Sequence, residues 1–346
     1  MTAWCYSLTY RSPRIRHQQR LWTARPQTPL LPPVWQAALR LHIAADQYAA
    51  APVSLRHGRF YPAQLLGQKP LPATMFRVID SNAESLLADF NHALGTVVSQ
   101  ALCVEDATLT ACDLKAEELL RWAGIEIALD QDTDFNEANA FARDDVAADA
   151  GFYQQPRRLL HVDTVCASRI QVLYAALIPS SATLLDLMCG WASHLPAGLN
   201  HVTGVGLNAA EMADNTQLDT RIVHDLNQYP TLPFADASFD VIVNTVSFEY
   251  LTQPMAVLTD VRRVLKPGGR LIVTFSNRYF PPKVIHLWKN LHPAERLGWV
   301  AQCLLKAGFG GCETLLERGL KRPPDDRYAN QLNEADPLFA VWGNKV

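Results

Sequence analysis

Thr183–Pro196 reads TLLDLMCGWASHLP, and the order of residue types in it decides the fold. Thr183, Leu184 and Leu185 climb as an apolar run to Asp186, and Met188, Cys189, Gly190 and Trp191 then turn the chain. A short apolar run ending in an acid and a turn is the pattern of a buried parallel strand that delivers a loop to the top of a sheet. Ligands of open α/β sheets bind at the carboxyl ends of such strands.

Outward from this stretch the signals alternate. Strands are predicted at 183–188, 201–207, 221–226, 239–246 and 270–276, with helices near 209–217, 254–265 and 294–307. On the amino-terminal side, FYQQPRRLLHVDTVCASRIQVLYAALI (152–178) breaks at Pro156. It then spaces Leu159, Val162, Val165, Ile170, Leu173 and Leu177 at near-helical intervals. Repeated strand–helix alternation predicts a parallel sheet with helices on both faces. Glu313–Leu320 and Phe339–Trp342 follow as two strands with no helix between them, which predicts an antiparallel edge.

The first 130 residues have a different character. A helix is predicted over 34–55, then strand, turn and strand over 53–66 with Arg56-His57-Gly58 as the turn. Phe76–Asp80 and Ser85–Phe90 flank Ser81-Asn82-Ala83-Glu84 as a β-hairpin, and Val97–Val104 is a further strand. Residues 130–150 hold seven acids against one base, Arg143, the composition of a solvated connector. The expected division is therefore 1–129, a linker at 130–150, and 151–346. Residues 1–45 carry six arginines and no acid. That suits an organelle transit peptide or a basic N-terminal arm, and the irregular apolar spacing favours the arm.

Composition closes off several classes. A net charge of −3 argues against a nucleic-acid binder working through a global positive field. No apolar run approaches the roughly 18 residues of a membrane span. Seven scattered cysteines form no C-x-x-C pair and no H-E-x-x-H occurs, so neither a metal site nor a disulfide framework is expected. A reducing cytoplasm is the expected compartment.

Two resemblances add to this reading. DLNQYPTLPFADASFDVIVNTVSFEYL from Asp225 on, followed by DVRRVLKPGGRLIVTFSNR from Asp260 on, resembles the class I S-adenosylmethionine-dependent methyltransferases, type 11-like. The likeness extends over about 152–345. It implies a Rossmann-like seven-stranded sheet, S-adenosyl-L-methionine as cofactor and transfer of a methyl group to an unidentified small-molecule or protein acceptor. RHGRFYPAQL (56–65) and FRVIDSNAESLLADFNHALG (76–95) resemble FKBP-type prolyl isomerases of the bacterial SlyD-like branch. Here Asn91-His92-Ala93-Leu94-Gly95 stands for that family's turn. This implies a small α+β FKBP-like domain before the methyltransferase sheet. With Phe60, Tyr61, Phe76 and Phe90 expected in the core and the family's rim acid missing, it is a degenerate module for stability or for docking a protein partner.

Carried over position by position, the methyltransferase resemblance places Asp186, Met188, Cys189 and Gly190 in the loop around the amino-acid part of the cofactor. Asn208 falls where an acid usually meets the ribose. Asp225 and Leu226 fall where an acid meets the adenine amino group. The family loop is Asp-x-Gly-x-Gly-x-Gly; here Met188 replaces its first glycine and Ala192 its last. For acceptor chemistry the candidates are Glu249, Tyr250 and His194 as catalytic groups and Arg157, His161, Asn277 and Arg278 as substrate contacts. Taken singly, Asp186 could be a turn former, Cys189 a small filler and Asp225 a helix cap. Gly204-Val205-Gly206-Leu207-Asn208-Ala209 also fits a dinucleotide fingerprint, though an earlier strand already precedes it. The replaced glycines leave open a second function class, a methyltransferase fold that serves as an interaction module without catalysis.

Overall fold

The computed structural model describes residues 4–11, 15–23, 36–48, 55, 60–67, 71–72, 75–91, 103–104, 139–291 and 293–346. In chain order the strands are β1 Trp4–Arg11, β2 Ile15–Thr23, β3 Arg40–Ala44, β4 Phe60–Pro62, β5 Met75–Ser81, β6 Ser85–Asp89, β7 Cys103–Val104 and β8 Thr183–Leu187. They continue with β9 His201–Gly206, β10 Thr220–Val223, β11 Phe239–Thr245, β12 Leu265–Phe275, β13 Phe309–Arg318 and β14 Leu338–Lys345. The helices are α1 Asp149–Phe152, α2 Thr164–Leu177, α3 Ala209–Asp214, α4 Pro254–Val264, α5 His286–Asn290 and α6 Pro293–Lys306. The chain divides into two compact units, one of Met1–Thr23, Asn139–Asn290 and Val300–Val346, the other of Ala24–Ala138 and Leu291–Trp299.

In the first unit the strands run in the order β10-β9-β8-β11-β12-β14-β13-β2-β1. The five from β10 to β12 are mutually parallel. β14 is antiparallel to both β12 and β13. This is a Rossmann-like α/β sheet, mostly parallel over its first seven strands. β8 lies between β9 and β11, so the strand order reverses there, and the crevice above that reversal is the ligand site of such sheets. β8 sits centrally because Leu184, Leu185 and Leu187 are almost wholly buried, as a strand covered on both faces requires. α2 packs on the sheet through Cys166, Ala167, Ile170 and Tyr174, and the Tyr174 hydroxyl bonds Thr245 and Thr274 on adjacent strands.

Several expectations change in detail. The late pair β13 and β14 is antiparallel as expected but is not the edge: β2 pairs in parallel with β13, and β1 with β2, so the N-terminal hairpin extends the sheet. The basic segment 1–45 thus contains β1, β2 and β3 and is divided, with 1–23 in the first unit and 24–45 in the second. Helix α2 begins only at Thr164, where Asp163 caps it by accepting from the Cys166 amide at 2.8 Å. That leaves residues 157–163 free to border the site. Of the acid-rich stretch, 139–150 belongs to the first unit. Asp149 there is buried against Arg143 and Lys283, at 2.8 and 3.3 Å.

In the second unit β3, β6, β5 and β4 form an antiparallel sheet in that order. The 76–90 hairpin is present. The helix predicted from 34 is instead strand β3 between two 3-10 turns. Pairing explains the change: Leu41 sits opposite Ala88 and Ile43 opposite Leu86, and a period-2 fit to a neighbour overrides local helical spacing. Tyr61, Phe76 and Phe90 are buried in this unit's core. Residues 97–102 and the 56–58 turn lie outside the described residues.

Candidate functional site

Four strand ends in the first unit open into one cavity. Its lining includes Asp186 and Met188–Ala192 after β8, Gly206–Asn208 after β9, His224–Asn227 after β10 and Thr245–Ser247 after β11. β10 stops at Val223, three residues before the predicted end, and this releases Asp225 and Leu226 into the wall. Tyr153, Arg157, Leu159–Val162, Tyr250 and Phe280 close the other side.

The loop after β8 keeps its path without the expected glycine. Met188 takes a left-handed φ of 59°, a conformation glycine adopts at lower cost. The Cys189 amide then donates to the Val205 carbonyl at 2.9 Å, anchoring the loop on β9. That contact accounts for Gly206, while Gly204 is crowded first by Leu218, at 2.5 Å from an added Cβ, and then by Cys189. A Cβ on Gly206 would stand 2.3 Å from the Cys189 carbonyl oxygen, and one on Gly204 would stand 2.8 Å from the Cys189 sulfur. These glycines admit the neighbouring loop, and they sit on the second strand of the sheet rather than the first, so a dinucleotide reading has no support here. A Cβ on Gly190 would lie 2.9 Å from a Glu211 carboxylate oxygen, so a side chain there would make the Glu211 carboxylate shift.

Asp186 is buried at the strand end and bonds the Ser193 hydroxyl at 2.5 Å. Loss of water raises its pKa to about 7, a shift the Ser193 bond only partly offsets. Asn208 is committed to structure: its carbonyl oxygen caps α3 by accepting from the Ala210 and Glu211 amides, and its NH₂ donates to Tyr153 and Gln154. Asp225 accepts from the Asn227 and Gln228 amides in its own turn.

The acceptor candidates separate. His194 and His161 both border this cavity. Burial holds both imidazoles below their ordinary value, assisted by the His161 ring for His194 and by Arg157 for His161. Tyr250 is buried, and its hydroxyl accepts from the Phe280 amide at 2.9 Å. Arg157, His161 and Tyr250 also line a second cavity, adjoining the first, which Asn277, Arg278, Tyr328 and Leu332 border. Glu249 differs from expectation. It is fully buried and borders neither cavity, because the 3-10 turn Phe248–Tyr250 points its neighbour Tyr250 to the site instead. Arg278 is engaged by Asp336 at 2.6 Å and Asp326 at 3.0 Å, so it pins the 325–336 wall.

Sequence reasoning missed Glu211, Asn227 and Phe280. Glu211 borders the cavity and accepts from the Arg157 amide at 2.6 Å. Asn227 donates to Asp149 and to the Tyr250 carbonyl and accepts from Thr252, tying three segments together. Glu211 had a signal: it stands one turn into the helix that follows the second strand. Asn227 and Phe280 had none, since their roles depend on distant segments.

Comparison with known proteins places this architecture. Residues 185–273 match the methyltransferase domain family. The match covers about a quarter of the chain and lies within the parallel part of the sheet. The malonyl-[acyl-carrier protein] O-methyltransferase of Erwinia billingiae is 34% identical over 92 residues, 26% of this chain and 37% of that protein. A demethylmenaquinone methyltransferase of Paenarthrobacter aurescens is 39% identical over 61 residues, 18% of this chain and 22% of that one. A solved S-adenosylmethionine-dependent methyltransferase from Thermotoga maritima is 18% identical, with coverage of 53% and 90% and a TM-score of 0.38. The chain spans 37% and 22% of the length of the two curated relatives.

The cavity has a chemistry that fits S-adenosylmethionine, the cofactor named for the similar solved structure. Met188, Leu207, Leu226 and Val246 give apolar wall, while Asp186, Glu211 and Asp225 give three carboxylates from successive strand ends. The glycine at 190 keeps the loop's backbone bare where a side chain would collide with Glu211. Among the described residues no helix is long and apolar enough to cross a membrane.

Proposed function

We propose that this chain is an S-adenosylmethionine-dependent methyltransferase whose acceptor is a small molecule. One observation carries the reading: the loops after β8, β9, β10 and β11 converge on one cavity at the point where the strand order reverses. Asp186, Met188, Cys189 and Gly190 are assigned to the cofactor's amino-acid end, and Asp225 and Leu226 to its adenine. Asn208 is assigned to hold Tyr153 and Gln154 in place, which passes the ribose contact to Glu211. When bound, the cofactor supplies an electrophilic methyl group. The chain's own contribution is position, since an acceptor held in line gains much of its rate from orientation alone. The names of the two relatives, one acting on malonyl-acyl carrier protein and one on demethylmenaquinone, support a small-molecule or carrier-bound acceptor.

Calorimetry with S-adenosylmethionine and S-adenosylhomocysteine tests this reading. Binding weakened more by Asp225→Ala than by Glu249→Ala is expected; no binding at millimolar ligand would overturn it. For the second unit, the buried Tyr61, Phe76 and Phe90 support a stabilising or docking role. The full chain is then expected to give no enzyme-level acceleration of prolyl-peptide isomerisation, and acceleration would refute that role.

A further inference from the structure

The second cavity has a character the first lacks. Leu159 and Leu332 are 61% and 50% exposed, and both border it, together with Leu160. Large apolar side chains left in water and gathered around one cavity mark a site for an apolar ligand. Trp191, Tyr279, Phe280 and Tyr328 add aromatic wall. The wall shared with the first cavity bears on the kind of occupant, because Arg157, His161, Trp191, Tyr250 and Phe280 belong to both linings.

Two polar groups stand at that junction. The Arg157 guanidinium lies 4.0 Å over the Phe152 ring and 5.0 Å from that of Phe280, and one of its NH₂ groups donates to the Phe152 carbonyl at 3.0 Å. Its other nitrogen, Nη1, is buried with no hydrogen-bond partner among the described residues. A buried donor without an acceptor is costly, so the ligand that completes the site supplies one. The His161 ring rests edge-on against Phe280 at 5.4 Å. Burial and the adjacent Arg157 keep the imidazole neutral at pH 7, in the form that takes a proton.

We propose that the acceptor is an apolar hydroxyl compound of the phenol or enol class, with its ring among Leu159, Leu160 and Leu332, its oxygen at Arg157 Nη1, and His161 as its base. This rests on the methyltransferase reading above. The step balances within those groups. The hydroxyl proton passes to an imidazole nitrogen of His161, the oxygen lone pair forms the new O–CH₃ bond, and the S–CH₃ pair stays on sulfur. The products are a methyl ether and S-adenosylhomocysteine, and the imidazolium returns its proton to water. The Arg157 charge favours the developing oxyanion. An amine acceptor would put a cation beside that guanidinium, which disfavours it.

The full chain, labelled at histidine and loaded with S-adenosylhomocysteine, is titrated with 4-phenylphenol and with 4-phenylbenzylamine, an amine that is cationic at pH 7. The expected result is that the phenol binds and moves the His161 ring resonance, which His161→Asn identifies by its loss, whereas the amine does not. Leu332→Asp weakens phenol binding roughly tenfold and leaves S-adenosylhomocysteine affinity within twofold. With S-adenosylmethionine the phenol yields its methyl ether, and His161→Asn lowers kcat about 10²- to 10⁴-fold with little change in KM. Cofactor binding without phenol binding, equal use of the amine, or a His161→Asn enzyme of undiminished kcat would overturn the proposal. Failure of S-adenosylhomocysteine itself to bind falls on the methyltransferase reading.

Discussion

The two walls of the site are built by different means. On the cofactor side, each of the four loop segments follows a strand of the sheet, so the strand end fixes where the segment starts. On the acceptor side, 157–163 and 325–336 belong to no strand and are held by charge. Arg322 reaches Asp326 and Asp336 at 2.8 Å and Asp163 at 3.4 Å, while Arg278 reaches the same Asp326 and Asp336. Asp163 and Asp336 also exchange backbone-to-carboxylate bonds at 2.8 and 2.6 Å. One wall is therefore as stable as the sheet, and the other depends on a buried ion cluster.

Removing the cluster's central cation tests that difference most severely. Arg322→Met leaves Asp163 and Asp336 buried with one cation fewer, a change that typically costs about 3–5 kcal/mol. Denaturant unfolding should show a loss of that order. In the fraction still folded, S-adenosylhomocysteine affinity should stay within threefold of wild type while acceptor-side binding collapses. An equal loss of both would mean the walls are not independently held.

On the cofactor side the largest effect is a pH dependence. Asp186 has a pKa of about 7 in the folded chain because burial disfavours its charge, against about 3.9 when unfolded. Between those values the folded state holds a proton the unfolded state has released, so stability falls as pH rises from about 4 to about 7. The cost is complete above pH 7 and is at most about 4 kcal/mol. Asp186→Asn should lose this slope and melt higher than wild type at pH 8, with the two close at pH 4. A slope that survives in the variant would assign the titration to another group.

Gly206→Ala asks whether strand and loop are as tightly fitted as the 2.3 Å approach to the Cys189 carbonyl requires. Backbone rather than a flexible side chain is in the way, so the loop must shift. Overpacking of this kind costs about 1–3 kcal/mol. Weaker S-adenosylhomocysteine binding is expected with it, and unchanged affinity would show that the loop can retreat from β9 without harm.

The same contrast explains what the residues disclosed. The apolar run to Asp186 and the strand–helix alternation are local signals, and from them the parallel sheet and the wall at its strand ends could be read, although β12 begins at Leu265, five residues before the strand predicted at 270–276. Glu249 misled because it is an acid just after a strand, and only the 3-10 turn at 248–250 determines which of Glu249 and Tyr250 faces inward. Arg278 borders the second cavity, but its ion pairs could not be read, because its partners Asp326 and Asp336 lie about fifty residues on, beyond the reach of any periodicity. In the second unit, residues 36–48 offered helical spacing, yet the sheet partner that settles their conformation, β6, follows some forty residues later.

The smallest effect concerns Met188, which stands where the methyltransferase loop that this stretch resembles has its first glycine. At a φ of 59° a non-glycine residue pays about 1–2 kcal/mol relative to the right-handed region, and glycine gives part of that back by losing more chain entropy on folding. Met188→Gly should therefore raise stability by about 1 kcal/mol or less. Its effect on binding is the informative part. Because the Cys189 amide already fixes the loop to Val205, the backbone path is the same with either residue, and only the Met188 side chain leaves the cavity wall. S-adenosylhomocysteine affinity is then expected to drop about threefold or less, the loss of part of one apolar contact. A marked gain in affinity would instead mean that methionine obstructs the cofactor, and would favour the reading of this fold as a binding module in which catalysis has decayed.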